Sequence, residues 1–215
     1  MSVDHVVQQG EHLSQIAEKY GFRDYKIVWN HPSNADLKKL RQSPNVLMPG
    51  DTVHIPDKTQ RQESCSTEKM HRFKLADCRL FLHLAIKDFD DQPLANTKCD
   101  LQIDGKSTSV TTGPDGHLKV PISPLTKEAT LTFHDPLVPF DVSVPIKIGH
   151  LNPVEELSGQ KARLSNLGYI TRPLEEVDKA TLERAVQEFQ CDFGLPVNGI
   201  CDAATRTKLK KLHGS

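Results

Sequence analysis

Hydrolytic or transfer chemistry needs a nucleophile beside a base, two carboxylates facing one cleft, or a set of metal ligands. This 215-residue chain has the residue types but not the spacings. Its ten histidines, His5, His12, His31, His54, His71, His83, His117, His134, His150 and His213, are scattered, with no H-E-x-x-H, H-x-x-x-D or H-x-H. No G-x-S-x-G elbow and no cysteine–histidine hydrolase signature occurs. Asp88, Asp90 and Asp91 cluster at a turn, where carboxylates hydrogen-bond their own backbone; calcium ligation is the alternative, without the glycine and distal glutamate of an EF-hand loop. Five cysteines, Cys65, Cys78, Cys99, Cys191 and Cys201, are odd in number and form no C-x-x-C pair. They read as reduced, partly buried thiols, with a single bridge, Cys78 to Cys99 or Cys191 to Cys201, left open. The expectation is a protein that binds rather than catalyses, with no metal and no cofactor.

The composition narrows the partner. A net charge of −1 offers no basic face for nucleic acid or an anionic membrane. No apolar run approaches the ~18 residues of a transmembrane helix, so membrane insertion is not expected. The first residues, Met1 to Val7, have neither the basic nor the apolar region of a Sec signal.

The elements that would position binding residues fall into three blocks. Residues 1–57 carry a short strand, Gly10-Glu11, a helix whose Leu13, Ile16, Ala17 and Tyr20 share one face, and Gly21 as its cap. Tyr25, Val28 and Trp29 suggest a second short helix, with Trp29 either in the core or a sugar-stacking platform. Asn45 to Pro56 then form a Pro-Gly turn and a strand, giving a small βααβ unit. Residues 58–70 are polar and aperiodic, a linker. Residues 71–150 alternate apolar and polar positions in short runs: 79–87 and 98–103 as a hairpin, Asp104-Gly105 as a tight turn, then strands at 108–112, 117–122 and 129–133. That pattern predicts an antiparallel β-sandwich. In residues 151–215 the period becomes helical: Leu157, Leu164 and Leu167, then Leu182, Ala185, Val186, Phe189 and Phe193 before Gly194, then Leu209 and Leu212 after Asp202. A three-helix bundle is expected, and a multidomain α+β fold overall.

Three resemblances follow from these residues. Val6 to Gly21 with Asn45 to Pro56 resembles a LysM domain. This implies a shallow groove for glycans containing N-acetylglucosamine, formed by Gly10, Glu11, His12 and Leu13 on one side and Asn45, Val46, Leu47 and Met48 on the other. His12 stands where threonine is commoner, with a surface position at the helix N-terminus as its plainer role. The insertion His31 to Pro44, with Leu37 and Leu40 as a small helical face, resembles the variant LysM of proteins that accompany contractile injection systems, including type VI secretion. Asp90-Asp91-Gln92-Pro93-Leu94, Leu101 to Gly105 and Thr111 to Gly116 resemble transthyretin-like β-domains, which serve as spacers or docking surfaces.

Gln160 to Tyr169, Ala185 to Gln190, Gly194-Leu195-Pro196-Val197-Asn198-Gly199 and Asp202 to Thr205 resemble a peptidoglycan-binding domain. Most of these residues are structural: Leu164 and Phe189 on the buried face, Gly199 in a positive-φ turn, Asp202 and Thr205 capping the last helix. Tyr169 and Asn198 remain as exposed contact candidates. The resemblances imply a non-enzymatic binder of peptidoglycan, made in the bacterial cytoplasm without a Sec signal and acting in the periplasm or cell envelope, or after non-Sec export. The alternatives are an accessory, cargo or spike- or baseplate-docking protein of a contractile injection system, with a spike, baseplate or effector protein as partner, or a secreted toxin or immunity component.

Overall fold

The computed structural model describes residues 2–59, 62, 64–72, 79–88, 92–134 and 141–214. Cys78, Asp90 and Asp91 lie outside the described residues. In chain order the elements are β1 (Val3–Val6), α1 (Leu13–Lys19), α2 (Tyr25–Trp29), a 3-10 turn (Pro32–Asn34), α3 (Ala35–Arg41), β2 (Thr52–Ile55), β3 (Leu80–Ala85), β4 (Lys98–Ile103), β5 (Lys106–Thr111), β6 (His117–Ile122), β7 (Glu128–Phe133), β8 (Val142–Lys147), α4 (Leu157–Asn166), a second 3-10 turn (Leu174–Glu176), α5 (Lys179–Asp192) and α6 (Ala203–His213). The fold is mixed α+β, with antiparallel pairing throughout β3–β8. β1 and β2 form a two-stranded sheet.

The chain divides into two compact units, Met1–His5 with Ser14–Asn34 and His54–Ile148, and Val6–Leu13 with Ala35–Val53 and Gly149–Ser215. In the first, α2 starts where the Asp24 carboxylate accepts the Lys26 amide at 2.9 Å. Trp29 is buried, in keeping with a core role. Asn34, also buried, donates to the carbonyls of Val28 and His54 at 2.8 and 2.7 Å and accepts the His54 amide at 2.8 Å. This side-chain staple ties the 3-10 turn to β2 and satisfies backbone groups that no helix or ladder reaches.

The rest of the first unit is a sandwich of a four-stranded sheet, ordered β5-β4-β7-β8, and the pair β3-β6. Leu82, Leu84, Leu118 and Val120 from the pair meet Cys99, Leu101, Ala129 and Leu131 from the larger sheet in one core. Asp104 and Gly105, both at positive φ, make the β4–β5 hairpin turn. The expected hairpin of 79–87 with 98–103 is not formed: β3 pairs with β6, from Leu80 opposite Ile122 to Ala85 opposite His117, while β4 lies between β5 and β7. Alternation reports which face of a strand is buried and is silent on its neighbour. Gly116 enables the actual pairing, because a Cβ there would sit 2.6 Å from the Ile86 carbonyl oxygen. The strand β8 was absent from the sequence expectation. Its Pro145 interrupts the pattern, and an edge strand is where proline is tolerated. The Asp88 carboxylate accepts the Gln92 amide at 2.8 Å, the turn role expected of it.

In the second unit α4, α5 and α6 contribute to a core of Val154, Leu164, Ile170, Val177, Leu182, Ala185, Val186, Phe189 and Leu209. Asp178 caps α5 through the Thr181 amide, and Asp202 caps α6 through the Thr205 amide at 2.9 Å. Gly168, Gly194 and Gly199 take positive φ. Leu157 departs from its expected face: it is 60% exposed at the start of α4. Arg163 and Gln160 take buried places on that helix instead.

Candidate functional site

The loop leading into α1 and the loop before β2 are brought together in the second unit, where the Leu13 amide donates to the Pro44 carbonyl at 3.1 Å. Gly10 takes φ +88, which frees the backbone to turn into the helix. The Glu11 carboxylate accepts the Gln8 amide at 2.9 Å, closing that turn. On the second loop the Asp51 carboxylate accepts the Met48 amide at 2.9 Å and holds Arg41 of α3 through two bonds of 2.8 and 2.7 Å. That bidentate pair raises the Arg41 pKa above its ordinary value.

Side-chain access within these loops is uneven. His12, Leu13, Val46 and Leu47 are buried, so His12 is not the surface residue its helix-start position suggested. Gly10, Glu11 and Met48 are half-buried, and Asn45 is exposed. The first loop also has a neighbour that the sequence did not indicate. A Cβ on Gly10 would lie 2.9 Å from the His150 Nε2, and one on Gly149 would lie 2.5 Å from the Gly10 carbonyl oxygen. Gln9 adds a long contact, 3.5 Å, to the Asn152 side chain. The Gly10 side of the expected groove therefore abuts residues 149–152 of the same unit.

The C-terminal motif residues resolve into a network built on Gln190. This side chain is fully buried on α5. Its Nε2 donates to Asn198 Oδ1 at 2.9 Å, the Ile200 carbonyl at 2.9 Å and the Thr205 hydroxyl at 3.1 Å. Its Oε1 accepts the amides of Asn198 and Gly199, both at 3.0 Å. With two hydrogens shared among three acceptors and one oxygen taking two amides, this side chain shapes the turn between α5 and α6. The Asn198 oxygen also accepts the Ile200 amide at 2.8 Å, so this contact candidate has a structural half. The held turn presents Val197 and Ile200 to solvent, 57% and 65% exposed. Tyr169 packs edge-on against Phe189 and donates its hydroxyl to Asp192 at 2.8 Å.

Arg163, with no exposed surface, donates to the carbonyls of Asn152 and Gly159 at 2.8 and 2.9 Å. Burial pulls its pKa below the usual value, with Glu155 opposing. Gln160 donates to the Val154 carbonyl at 3.0 Å, so two buried polar residues of α4 fold the segment 152–159 onto the helix. Gln160, Arg163 and Gln190 all stand in the motif stretches quoted for the resemblance, but their buried, hydrogen-bonding roles were not anticipated. Polar residues at the register of a buried face were the available signal.

Two clefts open on the described surface. One, about 430 Å³, lies in the first unit between Val3, Tyr20, Phe22 and the segment Ile55 to Lys58. The other, about 300 Å³, lies in the second unit between Leu40, Ser43 and Val46 on one side and Pro153, Glu155 and Lys210 on the other. Among the described residues no group of three or more His, Cys, Asp or Glu could hold a metal ion. Cys65, Cys99, Cys191 and Cys201 are free thiols, and burial pushes the Cys201 pKa up to about 11. None of the described helices is long and apolar enough to cross a membrane.

Residues 155–209 match the family described as putative peptidoglycan binding domain. The match spans α4, α5 and α6 up to Leu209, and with it the Gln190 network. It supports peptidoglycan as a partner and the cell envelope as the place of action. Neither a curated protein nor a solved structure matches the chain.

Proposed function

We propose that this protein is a non-enzymatic peptidoglycan-binding protein, with residues 155–209 as the wall-binding part. The observation that carries the proposal is the family match over those residues. A rigid, hydrogen-bonded turn with an exposed Val197-Asn198 edge suits binding without chemistry, since its polar groups are spent on holding shape. The test is co-sedimentation with purified sacculi. Retention of the intact chain without release of soluble muropeptides supports a binder. Release of muropeptides would refute the non-enzymatic part and favour a toxin, and no retention would refute wall binding.

A second reading has its own support. The packing of Gly10 against His150 covers one side of the groove that the LysM resemblance implies, which disfavours a sugar there, while Ile27 stands 55% exposed on α2 as an apolar position for a protein contact. Such a chain would dock through its N-terminal part on a spike, baseplate or effector of a contractile injection system and meet wall through its C-terminal part. Capture of a purified spike protein by the full chain, abolished by substitutions on exposed positions of α2 such as Ile27→Asp, would support it.

A further inference from the structure

We propose that the 300 Å³ cleft of the second unit is a receptor for a short peptide carrying free carboxylate and amino groups, the stem peptide of peptidoglycan, rather than for its glycan strand. The inference rests on the wall-binding reading above and names which chemical half of the polymer is recognised.

The cleft's charged groups are of both signs and are not equally committed. Arg41 is bound by Asp51 through two short bonds, and its side chain is largely covered, so it serves as wall. Lys210 and Glu155 differ. Their ammonium and carboxylate stand 3.6 Å apart, beyond hydrogen-bond length, and their side chains are 37% and 60% exposed. An exposed pair of that geometry contributes little to stability and re-partners at small cost. A ligand carboxylate on Lys210 and a ligand ammonium on Glu155 would each form a direct charge-assisted hydrogen bond in its place.

The apolar part of the cleft is aliphatic. Leu40 is 65% exposed on α3, a helix with no buried residue, and Val46, Pro153 and Val154 lie buried beneath the cleft as its floor. The exposed Leu40 side chain matches the methyl groups of alanine residues, which stem peptides carry next to carboxylates. A pyranose ring instead favours a flat aromatic platform. The unit's Phe189 is fully buried, with Tyr169 and Phe193 packed against it. Volume agrees as well, since about 300 Å³ is the lower end of ordinary ligand pockets and suits two or three small residues.

The test uses the full chain, isotope-labelled, titrated separately with a synthetic stem tetrapeptide and with a linear tetramer of N-acetylglucosamine while amide resonances are followed. The peptide is expected to shift Leu40, Ser43, Glu155 and Lys210, and the sugar is not. Lys210→Ala should weaken the peptide roughly tenfold, the worth of one charge-assisted hydrogen bond, and Leu40→Ser by a smaller factor. Both positions are solvent-accessible, and unchanged circular dichroism would show the variants folded. Silence of these resonances with peptide, their response to the sugar, or unaltered affinity in folded Lys210→Ala would overturn the inference. Sacculus co-sedimentation run in parallel separates the two claims: retained wild type with a silent peptide titration refutes only the cleft, whereas unretained wild type refutes the wall-binding reading itself.

Discussion

Replacing Gln190 with leucine keeps most of the side-chain volume on α5 and deletes all five hydrogen bonds of the amide. The Asn198 amide and Ile200 carbonyl belong to exposed residues and can turn to water. The Gly199 amide and the Thr205 hydroxyl belong to buried ones and are left without their partner. Each orphaned buried group costs about 1–3 kcal/mol, and the added apolar burial of leucine returns part of it, so the net loss is about 2–4 kcal/mol. For a unit of this size that corresponds to a fall of roughly 10–20 °C in melting temperature. Thermal melts by circular dichroism measure it, and hydrogen exchange of the Gly199 amide, protected in the wild type, reports the site. A melting temperature within about 2 °C of wild type would refute the reasoning. Gln190→Glu sharpens the test. The carboxylate keeps both acceptor bonds but faces the Asn198 amide oxygen and the Ile200 carbonyl, neither of which has a hydrogen to give, so its folded pKa rises above the ordinary ~4.3. Its destabilisation must then grow as pH rises from ~4.3 through the folded pKa and shrink again on acidification.

Protonated His134 donates from Nδ1 to the Asp141 carboxylate at 2.8 Å and from Nε2 to the Asp100 carboxylate at 3.0 Å, and these bonds, Asp141 foremost, raise its pKa above 6.5. The stability it contributes is full below 6.5 and is lost as pH rises through the raised value; an NMR titration giving a pKa at or below 6.5, unchanged in Asp141→Asn, would contradict this. His213 is opposite in sign. Burial lowers its pKa to about 4, so its contribution is full above 6.5 and is lost as pH falls from 6.5 toward 4, and the titration midpoint of its ring should lie well below 6.5. Gly10→Val places a β-branched residue at φ +88 against the His150 ring, with an expected loss of about 1–3 kcal/mol in denaturant melts. Gly159→Ala drives a methyl into the carbonyls of Pro153 and Asn152, backbone that cannot swing aside, and should cost at least as much, whereas Leu157→Ser at an exposed position should stay within about 0.5 kcal/mol.

Much of the local structure was legible in the sequence because it depends on nearest neighbours. Asp202 and Thr205 had to cap α6, Asp104-Gly105 had to turn a hairpin, Gly199 had to take positive φ, and the stripe Leu182, Ala185, Val186 and Phe189 had to be buried, each from a property of a few adjacent residues. Tertiary structure decided what depends on distant partners. Alternating residues in β3 and β4 specify an inner and an outer face, and tertiary packing, with the close approach at Gly116 part of it, paired β6 rather than β4 with β3. Asn34, Arg163 and Gln190 look solvent-seeking by type, yet each is buried where it hydrogen-bonds backbone groups of other segments, a match that no spacing encodes. The same holds for the candidate sites. Gly10 to Leu13 and Asn45 to Met48 were recognisable as two loops, but that Leu13 would bond Pro44, that His150 would lie against Gly10, and that Lys210 and Glu155 would face Leu40 across a cleft are consequences of folding residues 6–13, 35–53 and 149–215 into one unit.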